Sequence, residues 1–349
     1  MDLRRNFQMF VILILIAIGF GFVGCESDGQ SKDKPAIESE AMAATNDCDT
    51  ITICSFNIQF LGLFKKRDNA ALANLLKDYD LVVVQELVAP PVDGIYPDSE
   101  EYTADPEAEA FFQSMSDNGY EYVMSEEDTG PGDEIHKASS ATEWWVTFFK
   151  PDKVEVADYL PSGFLSDDRS HNDDFERVPY AFAFTTPDST IDFVLISVHL
   201  KPGGSRSEKE RRKHELSAIT EWINSNNDEE KDFIILGDMN IEDAEELADV
   251  TPAGFISLND ECRPTNTLVK DDSIKGKPYD QVMFDTTFTT EIDKNYDLEV
   301  IDLVDAMRDS WASSDPYPGE PYDHNLFKQY YSDHSPVVFK MICPERDDD

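Results

Sequence analysis

Five short apolar runs in this chain each end on, or begin after, small polar and ionisable residues, and this pattern limits the fold more than any other feature. The five are Ser55-Phe56-Asn57-Ile58-Gln59, Leu81–Val84 followed by Gln85-Glu86, Ser197-Val198-His199-Leu200, Phe233–Leu236 followed by Gly237-Asp238-Met239-Asn240, and Ser332-Asp333-His334 before Val337–Ile342. Continuous apolar runs of this length suit strands buried on both faces. Each therefore delivers an Asn, Glu, His or Asp to the mouth of a buried strand. Such groups bind hard cations and move protons, and five mouths of this kind are hard to explain as packing.

Between these runs the pattern supplies the remaining elements. Ile51–Ile58 reads as a strand and Asn69–Asp78 as a helix with Leu72, Leu75 and Leu76 on one face. Ala89–Glu109, rich in Pro, Asp and Glu, reads as an elaborated surface loop, with a helix over Glu107–Asn118. Trp144–Phe149, Tyr180–Phe184, Asp192–Val198, Val282–Phe284 and Val337–Met341 are further strands. Ser207-Glu208-Lys209-Glu210 has the form of a capping box, opening a helix that carries Leu216, Ile219 and Ile223. Many strands, few helices and mixed connections predict two packed sheets with helices outside.

Residues 1–24 stand apart from this. Arg4 and Arg5 precede the uncharged, mostly apolar stretch Met9–Val23, which is short for a membrane span and reads as an export signal. Its end, Phe22-Val23-Gly24-Cys25, resembles a bacterial lipoprotein signal with Cys25 lipidated, which gives a membrane-anchored protein of the cell envelope. A plain signal peptide and an uncleaved anchor are the alternatives. Residues 25–48 read as a flexible tether, 49–345 as one domain and 346–349 as an acidic tail. No obligate protein partner is implied.

With 72 Asp and Glu against 29 Lys and Arg, the net charge is −43, and no basic stripe for nucleic acid is present. A polyanionic substrate would need a divalent cation and a local group of Lys and Arg to approach. Apart from Cys25, the cysteines are Cys48, Cys54, Cys262 and Cys343, none at zinc-ligand spacing. An even set in an exported chain suggests disulfides, and Cys48–Cys343, which ties the two ends of the domain, is the preferred pairing.

Asn57, Glu86 and Asp333 form the natural metal set, because a hard cation such as Mg2+ takes oxygen ligands and one or two carboxylates. Glu86 follows four apolar residues, where a carboxylate is costly unless it binds something; capping a helix or reaching solvent is the plainer reading. His199 and His334 each adjoin an apolar run with acidic company and read as an acid and base pair. His136, His171, His214 and His324 lie in loops or on a solvated helix face, and no role is assigned to them.

Taken in order, these segments resemble the endonuclease/exonuclease/phosphatase family, in its deoxyribonuclease-I-like branch, from about Asp49 to Met341. Thr142-Glu143-Trp144-Trp145, Tyr279-Asp280-Gln281-Val282 and Ser332-Asp333-His334-Ser335-Pro336-Val337 complete the set. The resemblance implies an α/β four-layer sandwich, two mixed β-sheets flanked by helices, and metal-dependent cleavage of a phosphate ester. It makes Glu86 the principal ligand of a divalent metal (Mg2+ first, Mn2+ or Ca2+ as alternatives), supported by Asn57 and Asp333. Asp238 and Asn240 hold the attacking water or a phosphate oxygen, and His199 and His334 are oriented by Glu143 and Asp280. Arg177 matches a position where the branch sets an arginine against nucleic acid, whereas Ala141 replaces a tyrosine that packs on the substrate sugar.

Three functions compete. An exported nuclease acting on DNA is favoured by Glu143 and Tyr279-Asp280-Gln281. A phosphatase or phosphodiesterase acting on small esters or phospholipid headgroups is favoured by the acidity, Ala141 and the lack of a basic groove. A non-catalytic surface lipoprotein is the third. The nuclease is the preferred reading; Trp144 and Trp145 offer an alternative stacking surface for bases, although wide aromatic side chains in a strand are more often core.

Overall fold

A computed structural model describes residues 50–343, apart from 138, 229, 271–274, 294–295 and 297. The leader, Cys25, the tether, Cys48 and the acidic tail lie outside the described residues. The chain runs β1 (Thr50–Leu61), α1 (Asn69–Leu76), β2 (Leu81–Leu87), a small hairpin of β3 (Gly94–Ile95) and β4 (Glu101–Tyr102), and α2 (Pro106–Asp117). It continues through β5 (Glu121–Met124), β6 (Trp144–Phe149), β7 (Glu155–Val156), β8 (Gly163–Phe164), β9 (Tyr180–Thr185) and β10 (Asp192–His199). The last third holds α3 (Arg206–Asn226), β11 (Phe233–Asp238), α4 (Ala244–Val250), β12 (Phe255–Ser257), β13 (Asp280–Asp285), β14 (Glu299–Val300), α5 (Leu303–Ala306), α6 (His324–Tyr330) and β15 (Val337–Ile342).

Two large sheets result. The first has the order β14-β15-β1-β2-β6-β5, and the second β12-β13-β11-β10-β9-β7, with β8 also pairing β9. Both are mixed, because β1–β2 and β10–β11 are parallel while their neighbours are antiparallel.

Side-chain alternation along the strands assigns the layers. On β1, Ile51 and Ile53 enter the core between the sheets, whereas Phe56 and Ile58 pack under Leu72 and Leu76 of α1 and Phe111 and Met115 of α2. On β10 and β11, Leu195, Ile234 and Leu236 face the inter-sheet core, while Ile196 and Ile235 lie under Leu216, Ile219 and Ile223 of α3 and Leu247 of α4. Burial on both faces explains why these strands read as unbroken apolar runs. The layers are helix, sheet, sheet, helix, as expected.

One expectation changes and one alternative closes. The capping box of α3 is formed by Ser205 and Glu208 rather than Ser207 and Glu210. Both overlapping Ser-x-x-Glu pairs satisfy the sequence pattern, and the earlier one closes, where Arg212 gathers the carbonyls of Lys201 and Gly203 at the helix entrance. Trp144 and Trp145 are core residues, 2% and 0% exposed, and Trp145 donates its indole N–H to the Val178 carbonyl. They offer no face for stacking bases. Cys343 is disulfide-bonded, and Cys54 and Cys262 are free thiols. Among the described residues no helix is long and apolar enough to cross a membrane.

Candidate active site

The alternation that builds the inter-sheet core also builds the site. Continuing the inward set of each strand by one or two steps reaches Asn57 after Ile53, Gln85 after Val83, His199 after Leu195, Asp238 after Leu236 and, running backwards, Asp280 before Val282 and Glu143 before Trp145. The polar groups therefore crown one end of the apolar layer. Register sets their neighbours: His199 pairs with Asp238 across β10–β11, and Asp238 with Asp280 across β11–β13. Three strands thus bring three ionisable groups into one row. Beneath them, Gln85 accepts from Ser55 Oγ at 3.4 Å and donates to Ser197 Oγ at 3.3 Å, which links the two sheets.

Gly237 makes this register possible. Its φ is +136°, and a Cβ there would fall 2.2 Å from the Val198 carbonyl oxygen on the parallel neighbour.

Glu86 does not follow alternation. Next to the inward Gln85 it would point to the helical layer, yet the β2–β6 register shifts between Val84 and Leu87 and Glu86 takes φ +64°. Gln59 and Phe60, at φ +56° and +52°, make a matching irregularity in β1. Left-handed backbone at three non-glycine residues costs on the order of 1–3 kcal/mol each and persists where surroundings over-determine it. Here they do. Glu86 accepts from Phe60 N at 3.0 Å and Asn57 Nδ2 at 2.9 Å, and its own N–H donates to Glu143 Oε2 at 2.7 Å. Arg67, fully buried, donates to the carbonyls of Ile58, Gln59 and Tyr331 and pairs with Glu107 at 2.8 Å.

The two histidines face one another across Asp238. His199 Nε2 and His334 Nε2 lie 3.6 and 3.5 Å from Asp238 Oδ2, which also accepts from Asn57 Nδ2 at 3.0 Å. Behind them, His199 Nδ1 is 3.1 Å from Glu143 and His334 Nδ1 is 2.8 Å from Asp280. Asn240 donates its backbone N–H to Asp238 Oδ1 and its side-chain amide to the Leu200 carbonyl. Asp333 is held by Gln59, whose Nε2 donates to its carboxylate at 2.6 Å. Ser332 Oγ donates to the Asn57 carbonyl and accepts the His334 N–H, which fixes the loop before β15. Arg177 is buried, with Nε 3.0 Å from Glu143 Oε1 and Nη1 without a hydrogen-bond partner.

Burial and charge set the protonation. Burial opposes the charged form of His334, but Asp280 and Asp238 outweigh it and hold the imidazole well above its ordinary value. For His199, burial and Arg177 both oppose protonation, and Glu143 and Asp238 leave it raised. Asp238 pays for burial as well, yet the two imidazoles hold it below the usual carboxylate range. Burial pushes Glu86 up, and the charges of Asp333 and Glu143 add to this.

A cation fits this donor set. Five carboxylates (Glu86, Glu143, Asp238, Asp280 and Asp333) converge on two imidazoles and one guanidinium, which leaves negative charge uncompensated. Among the described residues, two groups have ligand atoms within 4.8 Å of one another: Glu86, His199 and Asp238, and Asp238, Asp280 and His334. Asn57 touches both Glu86 and Asp238 and borders the first group. The carboxylate oxygens of these groups suit a hard divalent ion.

All nine catalytic and metal candidates from the sequence meet at this end of the sandwich, together with Arg177. Gln59, Ser332 and Arg67 were given no role by sequence reasoning. Gln59 stood inside a quoted motif, but only its left-handed backbone turns it to Asp333. Arg67 lies in a polar loop with no pattern to mark it.

No family model matches this chain, and no curated protein does. Solved structures do. An endonuclease/exonuclease/phosphatase family protein from Bacteroides thetaiotaomicron is 14% identical, with a TM-score of 0.51 over 84% of this chain and 98% of that one. A mannosyl-6-phosphatase from the same organism is 14% identical, with a TM-score of 0.50 over 82% and 98%. Truncated TDP2 from Caenorhabditis elegans is 11% identical, with a TM-score of 0.50 over 84% and 97%. At these identities the likeness establishes the fold: the chain has the deoxyribonuclease-I-like sandwich of endonuclease/exonuclease/phosphatase proteins.

Proposed function

We propose that this protein is a metal-dependent hydrolase of phosphate esters. The observation that carries the reading is the pair of buried imidazoles, each backed by its own carboxylate and both turned toward Asp238. A structural histidine needs one partner; two facing histidines in such an arrangement are built to move protons.

The two environments separate the roles. His334, held protonated by Asp280 and Asp238, is the acid that donates from Nε2 to the leaving oxygen. His199, raised less than His334 because Arg177 opposes its protonation, is the base that takes the proton of the attacking water at Nε2. Asp238 stays ionised between them and, with Asn240, aligns that water. Glu86 would hold the divalent cation, with Asp333 as a further oxygen donor and Asn57, whose amide nitrogen bonds Glu86 and Asp238, bordering the ion; when bound, the ion would offset charge that grows on the phosphate oxygens. Arg177 Nη1, buried and unpaired, is the donor available to a phosphate oxygen beside Glu143.

Export and a lipid at Cys25 belong to this reading as the leader's contribution, and the disulfide at Cys343 supports an oxidising compartment. Small phosphate esters are one substrate reading, and DNA, supported by the unpaired Arg177 donor, is the other. Purified mature protein assayed with Mg2+, Mn2+ or Ca2+ on plasmid DNA, RNA, a small diester and a monoester tests the proposal. Turnover of at least one ester, abolished by chelation, is expected. Full turnover after demetallation contradicts it.

A further inference from the structure

Two lysines flank the histidines, and each is closed against a glutamate. Lys201, two residues after His199, reaches Glu176 at 2.7 Å. Lys277 donates its backbone N–H to Asn266, which bridges to His334, and its ammonium pairs with Glu242, two residues after Asn240. The second pair stands beside the reacting groups, since Tyr279 feels both Glu242 and Asp238, and its ring lies 5.8 Å from that of His334.

These clasps are built rather than incidental. Exposed ion pairs are commonly loose, but both glutamates here are fixed through their backbones by buried carboxylates. Glu215, wholly buried on α3, accepts the N–H of Glu176 at 2.8 Å and of Lys201 at 2.9 Å, so one side chain sets both halves of the first clasp. Glu246, buried on α4, accepts the Glu242 N–H at 2.9 Å and is itself held by Arg212. The glutamates are also less exposed than the lysines they cover, at 18% against 31% and 15% against 29% of their side chains.

Binding a nucleic-acid polymer depends on cations that neutralise successive phosphates and release counterions. A lysine already paired with a fixed carboxylate contributes nothing to that term, and the chain's charge of −43 opposes it. We infer that Glu176 and Glu242 are specificity determinants that neutralise Lys201 and Lys277, so that the site admits small phosphate esters and excludes polyanionic polymers. This rests on the phosphoesterase reading and deepens it by naming the substrate class. The metal and histidine groups engage one phosphate, and Lys201 and Lys277, each closed on its glutamate, offer no free charge for the next.

The test uses the mature protein and the Glu176→Gln/Glu242→Gln variant, which keeps side-chain size and frees both lysines. Binding of a labelled 20-base-pair duplex is followed by anisotropy in EDTA between 50 and 200 mM NaCl. Turnover of bis(p-nitrophenyl) phosphate is followed in Mg2+. Each freed phosphate contact adds about 0.9 to the salt slope. The variant should therefore lose about tenfold more duplex affinity than the parent across that range, with turnover of the small diester unchanged. Adding Lys201→Gln and Lys277→Gln should return the parental slope. Equal slopes in parent and variant, or a gain that survives loss of the lysines, overturn the inference. If no protein hydrolyses the diester, the phosphoesterase reading fails, and the duplex measurement still decides the clasps.

Discussion

Asp280→Asn isolates what a carboxylate behind an imidazole contributes. The substitution keeps shape and removes one charge 2.8 Å from His334 Nδ1, inside a wholly buried pair. A hydrogen bond to a charged group contributes about 1.5–3 kcal/mol, and each 1.36 kcal/mol is a factor of ten. Protonated His334 should thus become about 10- to 160-fold less favoured, and turnover at fixed neutral pH should fall by up to that factor. The sign of the pH effect follows. His334 acts while protonated, so activity fades as pH rises through its folded value, and the variant's alkaline limb should move to lower pH. Stability shares this sign, because His334 is raised in the fold. The pair's contribution is full below the ordinary imidazole value and is lost as pH rises through the folded one. The assay is kcat against pH on the best ester, with thermal melts of chelated protein over the same range. An unmoved alkaline limb with parental kcat refutes the acid assignment.

Other substitutions test the scaffold. Gly237→Ala should destabilise by about 1–3 kcal/mol from its positive φ alone, and more from the 2.2 Å approach to the Val198 carbonyl; a parental urea midpoint would show that the register tolerates a side chain. Arg67→Met leaves Glu107 buried without its ion-pair partner. It should cost about 3–5 kcal/mol by urea denaturation, and a loss under about 1 kcal/mol contradicts the clamp. Non-reducing peptide mapping should join Cys343 to Cys48, and a free Cys48 thiol removes that pairing.

Much of this site could be read from the sequence because alternation carries it. Asn57, His199, Asp238 and Asp280 continue the inward faces of apolar strands, so the runs that specify the core also specify where the polar groups emerge. Glu86 marks the limit. Its position beside Gln85 was legible, but its direction depends on a bulge and a left-handed residue that no period-two pattern contains. Trp144 and Trp145 carried the opposite lesson, since aromatic residues in a strand are placed by the core first. Arg67 was invisible because three of its partners are carbonyl groups, which every residue possesses, and the fourth, Glu107, lies forty residues away.

The central claim is that His199 and His334 act as one proton-transfer pair, and a two-residue kinetic cycle tests it most directly. His199→Ala and His334→Ala should each lower kcat by on the order of 10²–10⁴, with substrate affinity little changed. The double variant should lose far less than the product of the two, because both serve one reaction. His171→Ala and His214→Ala, both at exposed positions, should match the parent. Parental turnover in either active-site variant, with metal bound and the fold intact, would contradict the account.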